Sequence, residues 1–324
     1  MLEKIPAISD QLKKEDLINL LDLEHEKIQN KLSSFHVEWL RMCYADFKDH
    51  DKFLIVVYLV NQTMAFYNQN IINFTFDNYY SKNYLEIDKI NILQLSRDLS
   101  IPKETTRRKI LELEKLGVIK KNKKNILINR NAFRFVKPTN TVKSLSKILS
   151  LITKLLYKNK ILKFYYESEY IENSIKKNFT FCWHRFYQYQ IPFVTNMKKI
   201  FSEVDIFHIW GVIYLNKVYN IAKDNKNLFT GDFHQALYSS ISKKGINAMS
   251  ISDMTGIPRP TVIRKLKYLV KKKHIYSDGG KLYHLSKIRF DELKEQQKIN
   301  LGQFAEFAIK IINKNIISMN SSNK

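Results

Sequence analysis

Two short stretches concentrate the side chains whose types and spacing could do chemistry. Residues 100–110 read SIPKETTRRKI, and residues 256–266 read GIPRPTVIRKL. Neither holds a nucleophile beside a base. Both hold guanidinium and ammonium groups along one run, with a threonine ahead of them. An arginine fork offers paired donors to a guanine edge or a phosphate, and a threonine hydroxyl offers one more to a phosphate oxygen. That chemistry recognises a polyanion and makes no bonds. On a helix turning about 100° per residue with Thr106 inward, Arg108 projects about 200° away, near the opposite face. Arg264 does the same in the second stretch. Lys103 and Arg259 stand at the helix start, near a duplex backbone. Thr105 and Thr261 donate to a phosphate or cap the helix. Arg107 and Lys267 widen the cationic face. Lys109 and Lys265 flank the inward stripe, either as further contacts or with their stems laid over the core.

Such side chains need a pair of helices to present them. In the second copy, Ile251 and Met254 give a short helix one apolar face. Gly256 follows, where a tight turn tolerates positive φ. Pro258 sets φ where the next helix begins. Val262, Leu266 and Leu269 recur at helical spacing as its buried stripe. KKKHI, a short apolar strand, SDGG and KLYHL then predict a hairpin. The first copy follows the same plan, with Leu95 and Leu99 on its first helix and Thr106, Ile110 and Leu113 on its second. Gly117 ends that helix, and VIKKNKKNILI is the hairpin, with residues 122–124 at its tip. Ser96 and Ser252 fall where the helices cross, a place for a small residue. Lys120, Lys121, Lys123 and Lys124 load the first wing with charge, and Lys281 is the main cation of the second.

The segments GIPRPTVIRKLKYL and SIPKETTRRKILELEKLGVI resemble the recognition segment of winged helix-turn-helix transcription regulators, with a rhythm most similar to the IclR and MarR families. The resemblance spans about 40 residues of each copy, a quarter of the chain. It implies two tandem winged helices, each laying its second helix in a major groove while the hairpin touches phosphates or the minor groove. It implies double-stranded DNA as partner; the residues themselves show no metal-ligand spacing and no cofactor motif, so no cofactor or metal is expected. The second copy departs from it where KKKHI stands in place of the usual glycine before the wing.

The two phrases are copies. At an offset of 156 (258 − 102), residues 92–128 align with 248–284 without a gap and share nine identities, Ser96/Ser252, Pro102/Pro258, Arg108/Arg264 and Lys109/Lys265 among them. DKFLIVVYLVN and DIFHIWGVIYLN precede the two motifs at nearly equal distance, and WLRM and WHRF rhyme at a slightly different offset. A duplicated unit of about 150 residues follows. The expected fold is mainly α with small β-hairpin wings, a single-chain pseudo-dimer joined by helices. Its expected divisions are an N-terminal helical segment (1–34), a first unit (35–140), a helical linker or interface (141–180), a second unit (181–290) and a C-terminal helix (291–324). Residues 143–164 and 303–317 read as amphipathic helices that pack on each other, and the aromatics of 164–193 as core.

Composition bounds the rest. The 324 residues carry a net charge of +23, and 44% are apolar. The excess of cations points to nucleic acid, with coding bias toward lysine as a partial cause. Cys43 and Cys182 form no metal spacing and suit a reducing compartment. No leader is read at the N-terminus, no run approaches the length of a membrane span, and a cytoplasmic, nucleoid-associated protein is expected. No nucleotide-binding or hydrolase motif appears, so an enzyme is not expected. The leading expectation is a sequence-specific regulator acting on an asymmetric two-half-site operator, as a monomeric pseudo-dimer or a homodimer. A small-molecule effector or the transcription machinery are further candidate partners. The alternatives are a plasmid or phage replication initiator and a nonspecific architectural DNA-binding protein.

Overall fold

Apolar residues at helical spacing dominate the chain, and the computed structural model forms 13 α-helices and six short strands among the described residues: 11–122, 125–132, 137–224, 237, 244–288 and 290–322. The first half runs α1 (Lys14–Leu23), α2 (His25–Phe47), α3 (His50–Gln69), α4 (Phe76–Tyr80), β1 (Tyr84–Ile87), α5 (Ile92–Asp98), α6 (Lys103–Lys115), β2 (Ile119–Lys121), β3 (Ile126–Asn129) and α7 (Thr139–Lys158). The second runs α8 (Ser168–Lys177), α9 (Phe179–Phe201), α10 (Val204–Asp224), β4 (Ile246–Asn247), α11 (Ala248–Thr255), α12 (Arg259–Lys271), β5 (Ile275–Ser277), β6 (Leu282–Leu285) and α13 (Phe290–Ser322).

The order repeats well beyond the motif. α1 and α8 have 10 residues each, α2 and α9 have 23, and both pairs start 154 apart (168 − 14 and 179 − 25). The rhyme of Trp39 with Trp183 is not part of this repeat. Trp39 is residue 15 of α2 and Trp183 residue 5 of α9, so the tryptophans occupy unlike places. The expected division at 34–35 falls inside α2, and within residues 141–180 the helix α7 packs on both α2 and α8.

The halves interlock. α2 packs on α10 and α3 on α9, each pair drawn from both halves. α13 lies along α9 and α1 as α7 lies along α2 and α8, the pattern of a two-fold relation. The aromatic stretch supplies this core. Trp183 stacks on Phe179 at 5.4 Å and meets Phe186 at 4.6 Å, and Phe186 reaches Phe35 of the first half at 6.0 Å. All are buried, and truncating any one of such rings to alanine costs about 3–5 kcal/mol.

Each half also carries a three-stranded antiparallel sheet, in the orders β1-β3-β2 and β4-β6-β5. The hairpins are the expected ones. The added outer strand comes from ahead of the helix pair, with Leu85 opposite Ile128 and Ile246 opposite Tyr283. It ties each hairpin back onto the body. Among the described residues no helix is long and apolar enough to cross a membrane.

Candidate nucleic-acid interface

α5 and α6, and α11 and α12, are joined by the same turn built from the same atoms. Asn91 and Asn247 cap the first helices, their side-chain oxygens accepting from the amides of Gln94 (3.1 Å) and Ser250 (2.9 Å). Ser100 (φ 50°) and Gly256 (φ 71°) are left-handed at the turn. The Ser96 hydroxyl donates to the Ile101 carbonyl at 2.6 Å, and Ser252 to that of Ile257 at 2.7 Å. The serines therefore fasten the turn, a stronger reason for their identity than small size. Pro102 and Pro258 are the N-caps of α6 and α12 and stand just outside the helices, while Pro260 lies in the first turn of α12. Thr106, Ile110 and Leu113, and Val262, Leu266 and Leu269, are all buried, as expected of the inward stripes. Met254 is exposed, and Thr255 takes its place in the core. Both second helices end in a left-handed residue, Gly117 (φ 72°) and Lys273 (φ 59°). The next amides, Val118 and His274, reach back to Leu113 and Leu269, each at 3.0 Å. Lys273 thus does the work of the missing glycine.

The opposite faces of α6 and α12 are open and cationic. The Arg108 side chain is 70% exposed, and Arg264 is exposed at the equivalent place. Lys103, Arg107, Arg259 and Lys267 are exposed beside them, and Thr105 and Thr261 are half-buried. The caps being prolines, neither threonine caps its helix. Arg108 lies 3.7 Å from Glu112, which Lys52 also grips at 2.7 Å. The Lys52 hydrogen bond holds that carboxyl below its ordinary value. At the Glu112 position α12 has Tyr268, bonded to the Ser202 hydroxyl at 2.9 Å, so the second arginine has no acid one turn on. Lys121 is exposed but pairs with Glu114. Lys120 sits over the Tyr84 ring at 5.3 Å. Lys123 and Lys124 lie outside the described residues. Lys281 is exposed at φ 70° in the second hairpin turn, which the Asp278 carboxylate organises by accepting from the Gly280 and Leu282 amides. Lys89, Arg97, Lys271 and Lys272 are exposed close to the motifs and were not singled out in the sequence, having no counterpart identity across the copies or standing in a lysine run.

Lys109 and Lys265 are corrections. They are buried, 8% and 3% exposed, and face away from the open surface. Lys109 pairs with Asp49 and lies 3.9 Å from Asp51. Lys265 pairs with Glu203 at 2.6 Å and lies 3.7 Å from Asp205. The acids stand 154 apart (203 − 49 and 205 − 51), so the whole cluster is duplicated. It pins each second helix to the start of α3 or α10. The two clusters also join the halves: His50 meets Asp205 at 2.6 Å, and Lys198 meets Asp51 at 2.9 Å. Burial by itself would raise the Asp205 carboxyl, but the His50 hydrogen bond and the charges of His50 and Lys265 hold it below its ordinary value.

No group of three or more His, Cys, Asp or Glu among the described residues could hold a metal ion. What the two faces can do is meet a polyanion at two places fixed by one helical body. Comparison of the chain with protein-family models, with curated proteins and with solved structures finds no match.

Proposed function

We propose that the chain is a sequence-specific double-stranded DNA-binding regulator of transcription, acting in the cytoplasm on an operator with two unlike half-sites. In this reading each helix pair with its sheet is a winged helix. α6 and α12 are the recognition helices, and β2–β3 and β5–β6 are the wings. The observation that carries the reading is the repeated outward arginine. Arg108 and Arg264 are exposed at identical places on helices whose other faces are buried, in a chain of net charge +23. The half-sites differ because the exposed neighbours differ: Glu104 stands against Pro260, and Arg107 against the half-buried Ile263.

Selection of bound duplexes from a random pool tests this. The expected outcome is an asymmetric consensus, bound roughly 10³-fold more tightly than random duplex. Affinity should fall steeply with salt as lysines and arginines release counterions. Equal affinity for every duplex would replace the regulator with an architectural protein, and no binding to duplex would refute both.

A further inference from the structure

A cavity of about 100 Å³ lies where the two halves meet, walled by α2 of the first half and by α9, α10 and α13 of the second. Its walls are largely rings. His36 stacks on Phe193 at 4.0 Å and 18°, and Phe207, Trp210 and Tyr214 line it with them. No lysine, arginine, aspartate or glutamate lines it. Burial holds His36 neutral, its pKa lowered to about 3. Polar atoms collect at a few points. Gln29 donates to the Tyr214 hydroxyl at 2.9 Å, and the His36 ring meets the Tyr189 hydroxyl at 2.8 Å. Trp210 is 6% exposed and its indole N–H is buried with no acceptor. A buried donor left without a partner is costly in a protein interior, unless something else supplies the acceptor.

The two sides of the pseudo-two-fold carry different residues at the positions that line this cavity. At the offset of 154, Gln29 corresponds to Trp183, Ser33 to Tyr187, and Gly211 to Val57. On the other side those larger side chains sit in the packed core, Trp183 only 1% exposed. Trp210 and Tyr214 correspond to Val56 and Val60, so this side carries more polar atoms there and smaller side chains at Gln29, Ser33 and Gly211. A hollow costs stability, and here it coincides with hydrogen-bonding groups that Val56 and Val60 lack.

We infer that this cavity is a binding site for a small uncharged aromatic molecule carrying a hydrogen-bond acceptor, its ring between the aromatic walls and its acceptor on the Trp210 indole N–H. At about 100 Å³ the cavity is smaller than the roughly 150 Å³ that admits benzene, so a single ring is the most it takes, and a substituent has to lie toward its open side. A carboxylate has no cation to meet and would lose its hydration. The site is independent of whether the chain reads DNA. If it does, an occupant touching both halves would bear on the placement of α6 and α12.

The test is calorimetric titration of the full chain, without DNA, with benzamide, acetophenone, benzene and sodium benzoate. Saturable binding of benzamide or acetophenone at about 1 mM or tighter is expected, with benzoate at least tenfold weaker. Gly211→Val should abolish binding while the chain stays folded. A Cβ at Gly211 meets Val37 at an ordinary 3.5 Å, so the added methyls enter the cavity. Trp210→Phe keeps a ring and removes the donor. It should weaken benzamide about tenfold and leave benzene unchanged. No saturable binding of either neutral acceptor, benzoate binding as tightly as benzamide, or undiminished binding in Gly211→Val would each overturn the inference.

Discussion

Replacing Lys109 with methionine separates a structural lysine from a DNA contact. Methionine keeps the buried stem and removes the charge. The Lys109 side chain is 11% exposed, and its partners Asp49 and Asp51 are 24% and 22% exposed. Removing one member of a buried pair costs about 3–5 kcal/mol, because the other is left charged and poorly solvated. Two features here lower that figure. Asp51 keeps Lys198 at 2.9 Å, and Asp49 still accepts from the Lys52 amide at the start of α3, where a helix favours an anion. About 2–3 kcal/mol remains. Lys265→Met should cost less, about 1–2 kcal/mol, because Glu203 is 56% exposed and Asp205 keeps His50. The assay is urea unfolding followed by circular dichroism, paired with titration of a selected duplex at a urea concentration where both proteins are folded. The midpoint should fall and affinity should stay within about twofold, since neither lysine reaches the open face. An unchanged midpoint with a tenfold loss of affinity would refute the reasoning. Adding Asp49→Asn to Lys109→Met should recover part of the lost stability.

Arg108→Ala and Arg264→Ala should each cost about 1–3 kcal/mol on the selected duplex with little change in stability. Equal loss on random duplex, read by the same titration, would assign them to phosphates. Lys273→Gly and Ser100→Gly should each raise stability by about 0.5–1 kcal/mol in urea unfolding, and Gly117→Ala and Gly256→Ala should lower it by about 1, because all four sites are left-handed. Space plays no part at the two glycines, where an added Cβ meets nothing within 4 Å. The Asp205 and Glu112 carboxyls lie below their ordinary values. Their contribution is therefore full above the unfolded carboxylate pKa of about 4 and is lost as pH falls through the folded values. Thermal midpoints between neutral pH and pH 3 should drop for the parent and drop less for Asp205→Asn.

The helix pairs and hairpins were legible because they rest on local signals: Ile-Pro punctuation, the Thr106 and Val262 stripes, and SDGG. The outer strands were not. β4 has only two residues, and β1 owes its place to Ile128 and its neighbours 39 to 45 positions on. Lys109 and Lys265 were ambiguous for a related reason. Their angle beside the apolar stripe could be read, but the acids that bury them stand 60 and 62 positions away. The cavity was wholly hidden, since four helices from both halves wall it and no one of them carries a pattern of its own.

The swapped packing of the bundle bears on how the two cationic faces came to lie in one chain. α2 has its main partner in α10 and α3 in α9, so neither half closes its own core. A fragment of residues 11–163 would expose Phe35, His36 and Val37, which in the whole chain are buried against Phe186, Phe193 and Gly211 of the second half. Such a surface is too apolar to remain in water as a folded monomer. The same half does carry both sides of the original contact, an α2 and an α3, so two copies can pair α2 on α3 as the chain now pairs α2 on α10 and α9 on α3. Sedimentation of the fragment should therefore show a dimer, or an unfolded chain where the diverged positions no longer match. A folded monomer with the helicity of half the parent would show that the halves are separate domains in mere contact, and the single-body placement of α6 and α12 would fall with it.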